Sequence, residues 1–246
     1  MVCRPGVSPL IRNKIMGQDR ICWILDEGVL PYREAYGLQN SLVNLRLRNM
    51  VPDCLILLEH PPVLTLGRNR GDENILVSKE ILRKEEIEVV LTDRGGSVTY
   101  HGPGQLVGYP ILSLREYSRN VSEYLRKIEE VIILALKEFE VQAKRRSDYP
   151  GIWVGEKKIA SIGVAIRQFR ITYHGFAFNV NPDMSRFRLI NPCGIKNLEL
   201  TSLANLLGYP PEMAEVKQKI ARSFAHTFGM KMIRNDVYPP IVSIVT

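Results

Sequence analysis

RGGSVTYHGPGQ occupies residues 94–105, and the rest of the chain reads outward from it. Its twelve residues include four glycines and a proline, with Arg94 at one end and His101 near the other. Glycine adopts positive φ without steric penalty and lets a ligand approach the main chain closely. Arg94 supplies a fixed positive charge and His101 a titratable donor. A stretch of this kind is either a tight loop between two strands or the wall of a pocket. The density of special residues favours the wall.

Upstream, an apolar run over 21–25 predicts a short strand, and Pro31 suits the first turn of a helix over 31–48. Tyr36, Leu38, Leu42, Val43 and Leu45 form the expected apolar positions of that helix. Strands over 53–59 and 63–66 flank His60-Pro61-Pro62, whose prolines cannot donate to a ladder. Ser78 caps a short helix through Lys84, and 88–92 is the strand that leads into the glycine-rich stretch.

Downstream, 105–114 reads as a strand and Asn120 as the cap of the clearest helix. Val121, Tyr124, Leu125, Ile128, Val131, Ile132, Ala135 and Phe139 make one apolar face of it. The stretches 152–154 and 159–166 form a hairpin around residues 155–158, and 171–180 continues the strand pattern. A loop-rich segment over 181–197 follows. A short helix over 202–207, a helix over 211–228 stopped by Gly229, and a strand over 230–234 complete the pattern. Strands come in blocks rather than in strict alternation with helices, which predicts an α+β fold with a mixed or antiparallel sheet. One main domain is expected over 19–235, with a smaller piece from about Ala204. Residues 1–18 form an extension, with Arg4, Arg12 and Lys14 but no acid, and 236–246 a tail.

The chain of 246 residues is 45% hydrophobic and 24% charged, enough apolar material for a sizeable core. No apolar run reaches the roughly 18 residues a membrane span needs. The four cysteines, Cys3, Cys22, Cys54 and Cys193, form no CxxC pair, so no zinc ribbon or dithiol site is indicated. Unpaired thiols fit a reducing, cytoplasmic setting. The net charge of +7 is scattered, with no basic helix or RNA-binding signature, and leans toward acidic protein partners rather than nucleic acid. P-loop, GxGxxG, HExxH and GxSxG patterns are all absent, and the spacing of the four histidines predicts no metal site.

Two residues stand out chemically. Cys193 lies in a polar turn, Asn191-Pro192-Cys193-Gly194, whereas Cys22 and Cys54 lie in apolar strands. A nucleophilic thiolate needs a nearby base or cation. His101, Lys157 and Lys158 are the available groups. Lys158 opens the apolar run IASIGV, and a lysine entering a core favours its neutral, basic form. The bland alternative is two solvated lysines in a hairpin turn.

RGGSVTYHGPGQ at 94–105, KIASIG at 158–163, HGFAFNVN at 174–181 and NPCGI at 191–195, with His60-Pro61-Pro62 ahead of them, together resemble the lipoyl(octanoyl) transferases. The resemblance covers about residues 20–234. It implies a mixed sheet flanked by helices, the fold shared with biotin and lipoate protein ligases. It also implies transfer of an octanoyl group from acyl carrier protein to a lysine of lipoyl-accepting domains, namely those of the 2-oxoacid dehydrogenases and the glycine cleavage H protein. No nucleotide or metal cofactor and no membrane is implied. The family's nucleophile falls on Cys193 and its partner lysine on Lys158. Its acyl-pocket residues fall on Arg94, Gly95, Gly96, Ser97, Val98, Thr99, Tyr100 and His101, on Ser161, Ile162 and Gly163, and on Gly175, Phe176 and Ala177. His60 is a secondary candidate. Val98, Ile162 and Phe176 are expected walls for an acyl chain, and His101 with the backbone amides near Cys193 the expected oxyanion donors. Two other readings compete. One is an ATP-dependent ligase of the same fold using residues 67–71 as a nucleotide loop; the other is a basic nucleic-acid-binding scaffold.

Overall fold

In the computed structural model, described for residues 20–146, 150–195 and 197–235, β2 (Asp53–Glu59) lies in the interior of an eight-stranded sheet. Between its acidic ends, residues 54–58 are buried from both sides, which is why they form a continuous apolar run rather than an alternating one. On one side β2 pairs in parallel with β1 (Arg20–Val29), which pairs in parallel with β11 (Met230–Arg234). On the other side the sheet continues antiparallel through β6 (Gln105–Ile111), β10 (Ile171–Asn179), β9 (Lys157–Arg167), β8 (Ile152–Val154) and β7 (Lys144–Arg145). The expected mixed sheet flanked by helices is therefore present.

The period of two in the strands sorts the core into two layers. Leu55 and Leu57 of β2 face α4 (Val121–Lys137) and α6 (Met213–Phe228), while Cys54, Ile56 and Leu58 face α1 (Tyr32–Leu47). Asn120 caps α4 as its sequence position predicts, with Oδ1 accepting from the Glu123 N–H at 2.8 Å. Helix α1 departs from the simple apolar stripe: Gln39 and Arg46 share its buried face with Tyr32, Ala35, Leu42 and Val43. Arg46 is there because Asp53, also buried, accepts from its Nε at 2.8 Å. Asp53 also accepts from the Ser113 N–H, which ends β6 at Ile111 rather than at Leu114 and lets α3 (Leu114–Tyr117) begin.

A second, three-stranded sheet carries the glycine-rich stretch. Its order is β4 (Glu88–Leu91), β3 (Val63–Leu66), β5 (Val98–His101). Residues 98–101 are thus not a loop. Val98 and Tyr100 pack with Leu64, Leu66 and Phe187 in a separate cluster, and that burial overrides the turn character of the glycines on either side. The C-terminal segment is not a separate piece either. Strand β11 extends the main sheet, and α6 packs beside α4, after α5 (Leu203–Leu207). Residues 1–18 and 236–246 lie outside the described residues.

The Asn120 cap makes a direct prediction. Asn120→Ala should lower the unfolding free energy by about 1 kcal/mol, read as a shift in the denaturant midpoint with an unchanged slope.

Candidate active site

Lys158 and Cys193 come from distant parts of the chain and meet. Lys158 Nζ lies 3.4 Å from Cys193 Sγ. The lysine is 3% exposed and held from several sides. The register between β8 and β9 shifts between Ile152 and Trp153, a bulge that sets Lys158 opposite Trp153. Its own N–H donates to the Glu199 carbonyl at 2.9 Å, and its carbonyl accepts from the Thr201 N–H at 3.0 Å. The Trp153 ring lies 5.7 Å from Nζ. Cys193 is half-buried in a single turn over Pro192–Gly194, with φ +59°. A non-glycine residue there costs on the order of 1 kcal/mol. The strain projects the thiol from a turn pinned behind it by the Asn191 N–H, which donates to the Asn74 carbonyl at 2.8 Å.

Beside the thiol, residues 94–97 wrap around the Arg94 guanidinium. Its Nε and Nη2 donate to Thr65 Oγ1 at 3.1 and 2.9 Å, Nη2 to the carbonyls of Thr65 and Ser97 at 2.6 and 2.7 Å, and Nη1 to the Gly95 carbonyl at 3.0 Å. Among the described residues no carboxylate pairs with it. Burial pulls its pKa down, and Tyr32, Cys193 and Tyr109 act in the opposite sense. Gly163 lets this wrap touch β9, since a Cβ there would meet the Gly95 carbonyl at 2.9 Å.

Cys193, residues 94–99, His101, residues 161–163 and residues 174–177 line one cavity, together with Tyr32, Val107 and Tyr109. Its empty volume is about 510 Å³, counting the open mouth.

Residues 31–225 match the lipoyl protein ligase A/B catalytic domain. The chain belongs to that family. It is 45% identical over 205 residues to an octanoyltransferase of Desulforamulus reducens, covering 83% of this chain and 90% of that protein. It is 46% identical over 205 residues to an octanoyltransferase of Caldicellulosiruptor saccharolyticus, covering 82% and 87% respectively. Its fold superimposes on a lipoate-protein ligase A bound with ATP with a TM-score of 0.75, at 16% identity over 92% of both chains.

Most residues that the sequence assigns to the pocket of this lipoyl ligase-family chain do line the cavity, but three have other roles. Tyr100 points away from it, stacking edge-on against Phe187 at 5.3 Å, because strand alternation sends it to the opposite face from Thr99 and His101. His101 lines the cavity without being an oxyanion donor. Gln105 Nε2 donates to the Tyr100 carbonyl and to Asn179 Oδ1, which turns Gln105 Oε1 toward His101 Nδ1 at 2.7 Å and fixes the ring proton there. His101 Nε2, 3.4 Å from the Thr65 hydroxyl, is left as an acceptor. Burial keeps this imidazole neutral. His60 is a pillar behind the cavity: Nδ1 donates to the Leu30 carbonyl at 2.7 Å and Nε2 accepts from Tyr109 OH at 2.7 Å, which fixes Tyr109 in the wall.

Some residues of the wall escaped the sequence reading. His174, with φ +54°, sits in the motif HGFAFNVN, and its Nε2 lies 2.8 Å from Asp93 Oδ1. Burial opposes ionisation of Asp93, but hydrogen bonds from His174, Tyr173 and Tyr36 outweigh it and hold the carboxyl well below its usual range. The hydrogen bond spans 81 residues of sequence, so no local pattern announces it. Residues 67–71, considered as a nucleotide loop, are backing for the wall. The N–H groups of Gly67, Arg68 and Asn69 donate to the carbonyls of Ser97, Arg94 and Gly96, and that of Arg70 to Gly67. No nest of free amides remains there for a phosphate.

His60 supplies a pH test. Burial lowers its pKa from 6.5 to about 4, despite the opposing pull of the Leu30 carbonyl. Between those values the unfolded chain binds a proton the folded chain does not, so this group's contribution makes stability fall as pH drops through the window from 6.5 to about 4. Nitrogen-15 NMR of the His60 ring should report a mainly neutral ring across that window, with half-protonation reached only at its lower end, about 4; a midpoint near 6.5 contradicts the burial argument.

Proposed function

We propose that this protein transfers an octanoyl group from octanoyl-acyl carrier protein to one lysine of a lipoyl-accepting domain, through a thioester on Cys193. The observation that carries the reading is the 3.4 Å contact between Lys158 Nζ and Cys193 Sγ at a glycine-walled cavity. The octanoyltransferase names of relatives at 45% and 46% identity support the acyl group and the reaction class. The acceptors on this reading are the lipoyl domains of 2-oxoacid dehydrogenases and the glycine cleavage H protein, and the setting is cytoplasmic.

The chemistry balances without a nucleotide. Neutral Lys158 takes the Cys193 proton, and the thiolate attacks the donor thioester carbonyl. Collapse of the tetrahedral adduct expels the carrier thiolate, which recovers the proton from Lys158. One thioester has replaced another. The acceptor ammonium then passes a proton to Lys158, its amine attacks the Cys193 thioester, and an amide forms as the thiolate leaves. Lys158 reprotonates that thiolate, and the second ammonium proton goes to solvent. Both tetrahedral adducts carry an oxyanion, for which each well-placed donor is typically worth ~3 kcal/mol of barrier. With His101 accepting rather than donating, the Cys193 N–H is the candidate donor; it has no partner among the described residues. The carbon chain gains ~0.8 kcal/mol per buried methylene against Val98, Ile162 and Phe176 in the cavity wall.

The test is incubation with octanoyl-acyl carrier protein followed by peptide mass spectrometry. An octanoyl adduct is expected on Cys193 and is discharged by adding a lipoyl domain. Cys193→Ala should abolish transfer, and Lys158→Ala should slow both half-reactions by about 10²- to 10⁴-fold. Transfer that persists in Cys193→Ala, or an acyl group that never reaches Cys193, sinks the reading.

A further inference from the structure

Glu129 is a carboxylate on the buried face of α4, 2% exposed among Ile128, Val131 and Ile132. An acid there is costly unless each oxygen is satisfied. Its Oε2 accepts from Arg126 Nη1 at 2.7 Å and faces Arg145 Nε at 3.3 Å. Its Oε1 accepts from the Gly151 N–H at 3.3 Å. Gly151 has φ +130°, where only glycine is at ease. A Cβ on it would lie 2.5 Å from Lys158 Cε, 2.5 Å from the Ala160 carbonyl and 3.2 Å from Lys158 Nζ. The Gly151 main chain is therefore a wall against which the end of the Lys158 side chain rests, and Glu129 is the group that anchors that wall from behind.

The geometry points to Glu129 as a positioning residue that acts through the Gly151 N–H to hold Lys158 Nζ against Cys193 Sγ. The inference deepens the proposed acyl transfer and rests on that reading of Lys158 as the proton carrier. Arg126 and Arg145 engage only Oε2, so the bond to Gly151 is the part of the network that points at the reacting pair. If Gly151 shifts, Lys158 loses its backstop on one side, and the bulge at Trp153 cannot aim it alone.

The test is a double-mutant cycle read on the thiol itself. Iodoacetamide alkylation at pH 7 is followed by mass spectrometry of the peptide carrying Cys193, so other thiols do not interfere. Glu129→Leu and Gly151→Ala should each slow alkylation by about tenfold, with Glu129→Gln, which keeps an acceptor, closer to the native rate. In a Lys158→Ala background, Glu129→Leu should add no further loss. In the acyl assay kcat should fall with KM for the octanoyl carrier unchanged. Thermal melts identify the folded variants, and where Glu129→Leu does not fold, Gly151→Ala in the same two backgrounds carries the cycle. Losses that multiply in the double variant, or lower melting temperatures with unchanged alkylation, overturn the inference. Because alkylation needs no acyl substrate, a protein that fails to transfer octanoyl groups yet keeps the cycle refutes the proposed function and leaves this positioning role standing.

Discussion

One directional hydrogen-bond chain ties the cavity wall to Lys158. Arg94 donates to Thr65 Oγ1, the Thr65 hydroxyl turns to His101 Nε2, and His101 Nδ1 donates to Gln105 Oε1. Gln105 Nε2 donates to Asn179 Oδ1, Asn179 Nδ2 to the Thr201 carbonyl, and the Thr201 N–H to the Lys158 carbonyl. Every member is buried. The direction of each link is forced by the one before it, because arginine can only donate and each amide has one oxygen and one nitrogen. A break anywhere leaves a buried polar group unpaired, at roughly 1–3 kcal/mol. The glycine-rich wall and the lysine strand thus share one register although they lie far apart in sequence.

The charges follow from that arrangement. Arg94 is solvated by carbonyls and a hydroxyl rather than by an acid, so no carboxylate cancels its charge locally. Lys158 also faces sulfur rather than carboxylate. Both His101 and His60 are driven to the neutral form by burial, so neither imidazole adds a positive charge beside the guanidinium. The nearby acids are occupied elsewhere: Asp93 by His174 and two tyrosines, Glu129 by two arginines and Gly151.

What the sequence made legible follows the range of the forces involved. Strands β2 and β3 have the bounds 53–59 and 63–66 expected of them, because two-sided burial and an intervening His-Pro-Pro leave a local mark. The caps at Asn120 and Ser78 were legible for the same reason. Strand β5 was not, since the glycines on either side read as turn and the burial of Tyr100 against Phe187 spans 87 residues by number, a contact no local window contains. The residues alone gave a thiol in a polar turn and a lysine at the head of a strand; pairing them needed the family resemblance. Glu129 and Gly151 were invisible as a unit because the link between them exists only after the helix docks on the sheet.

The same fold accommodates a protein described as lipoate-protein ligase A bound with ATP, so the sheet does not choose the chemistry. The choice lies in what the loops do with their amides and side chains. In this chain the segment after β3 gives its N–H groups to the carbonyls of residues 94, 96 and 97, building the outer support of the cavity wall. Those amides cannot also cradle a phosphate. On the proposed reading they need not, because the acyl group arrives already activated as a thioester. What the site must add is a sulfur to receive it and a proton carrier beside that sulfur. Cys193 in its strained turn and Lys158 on its bulged strand supply both, and the backbone amides spared from nucleotide binding hold the wall against which the carbon chain would lie.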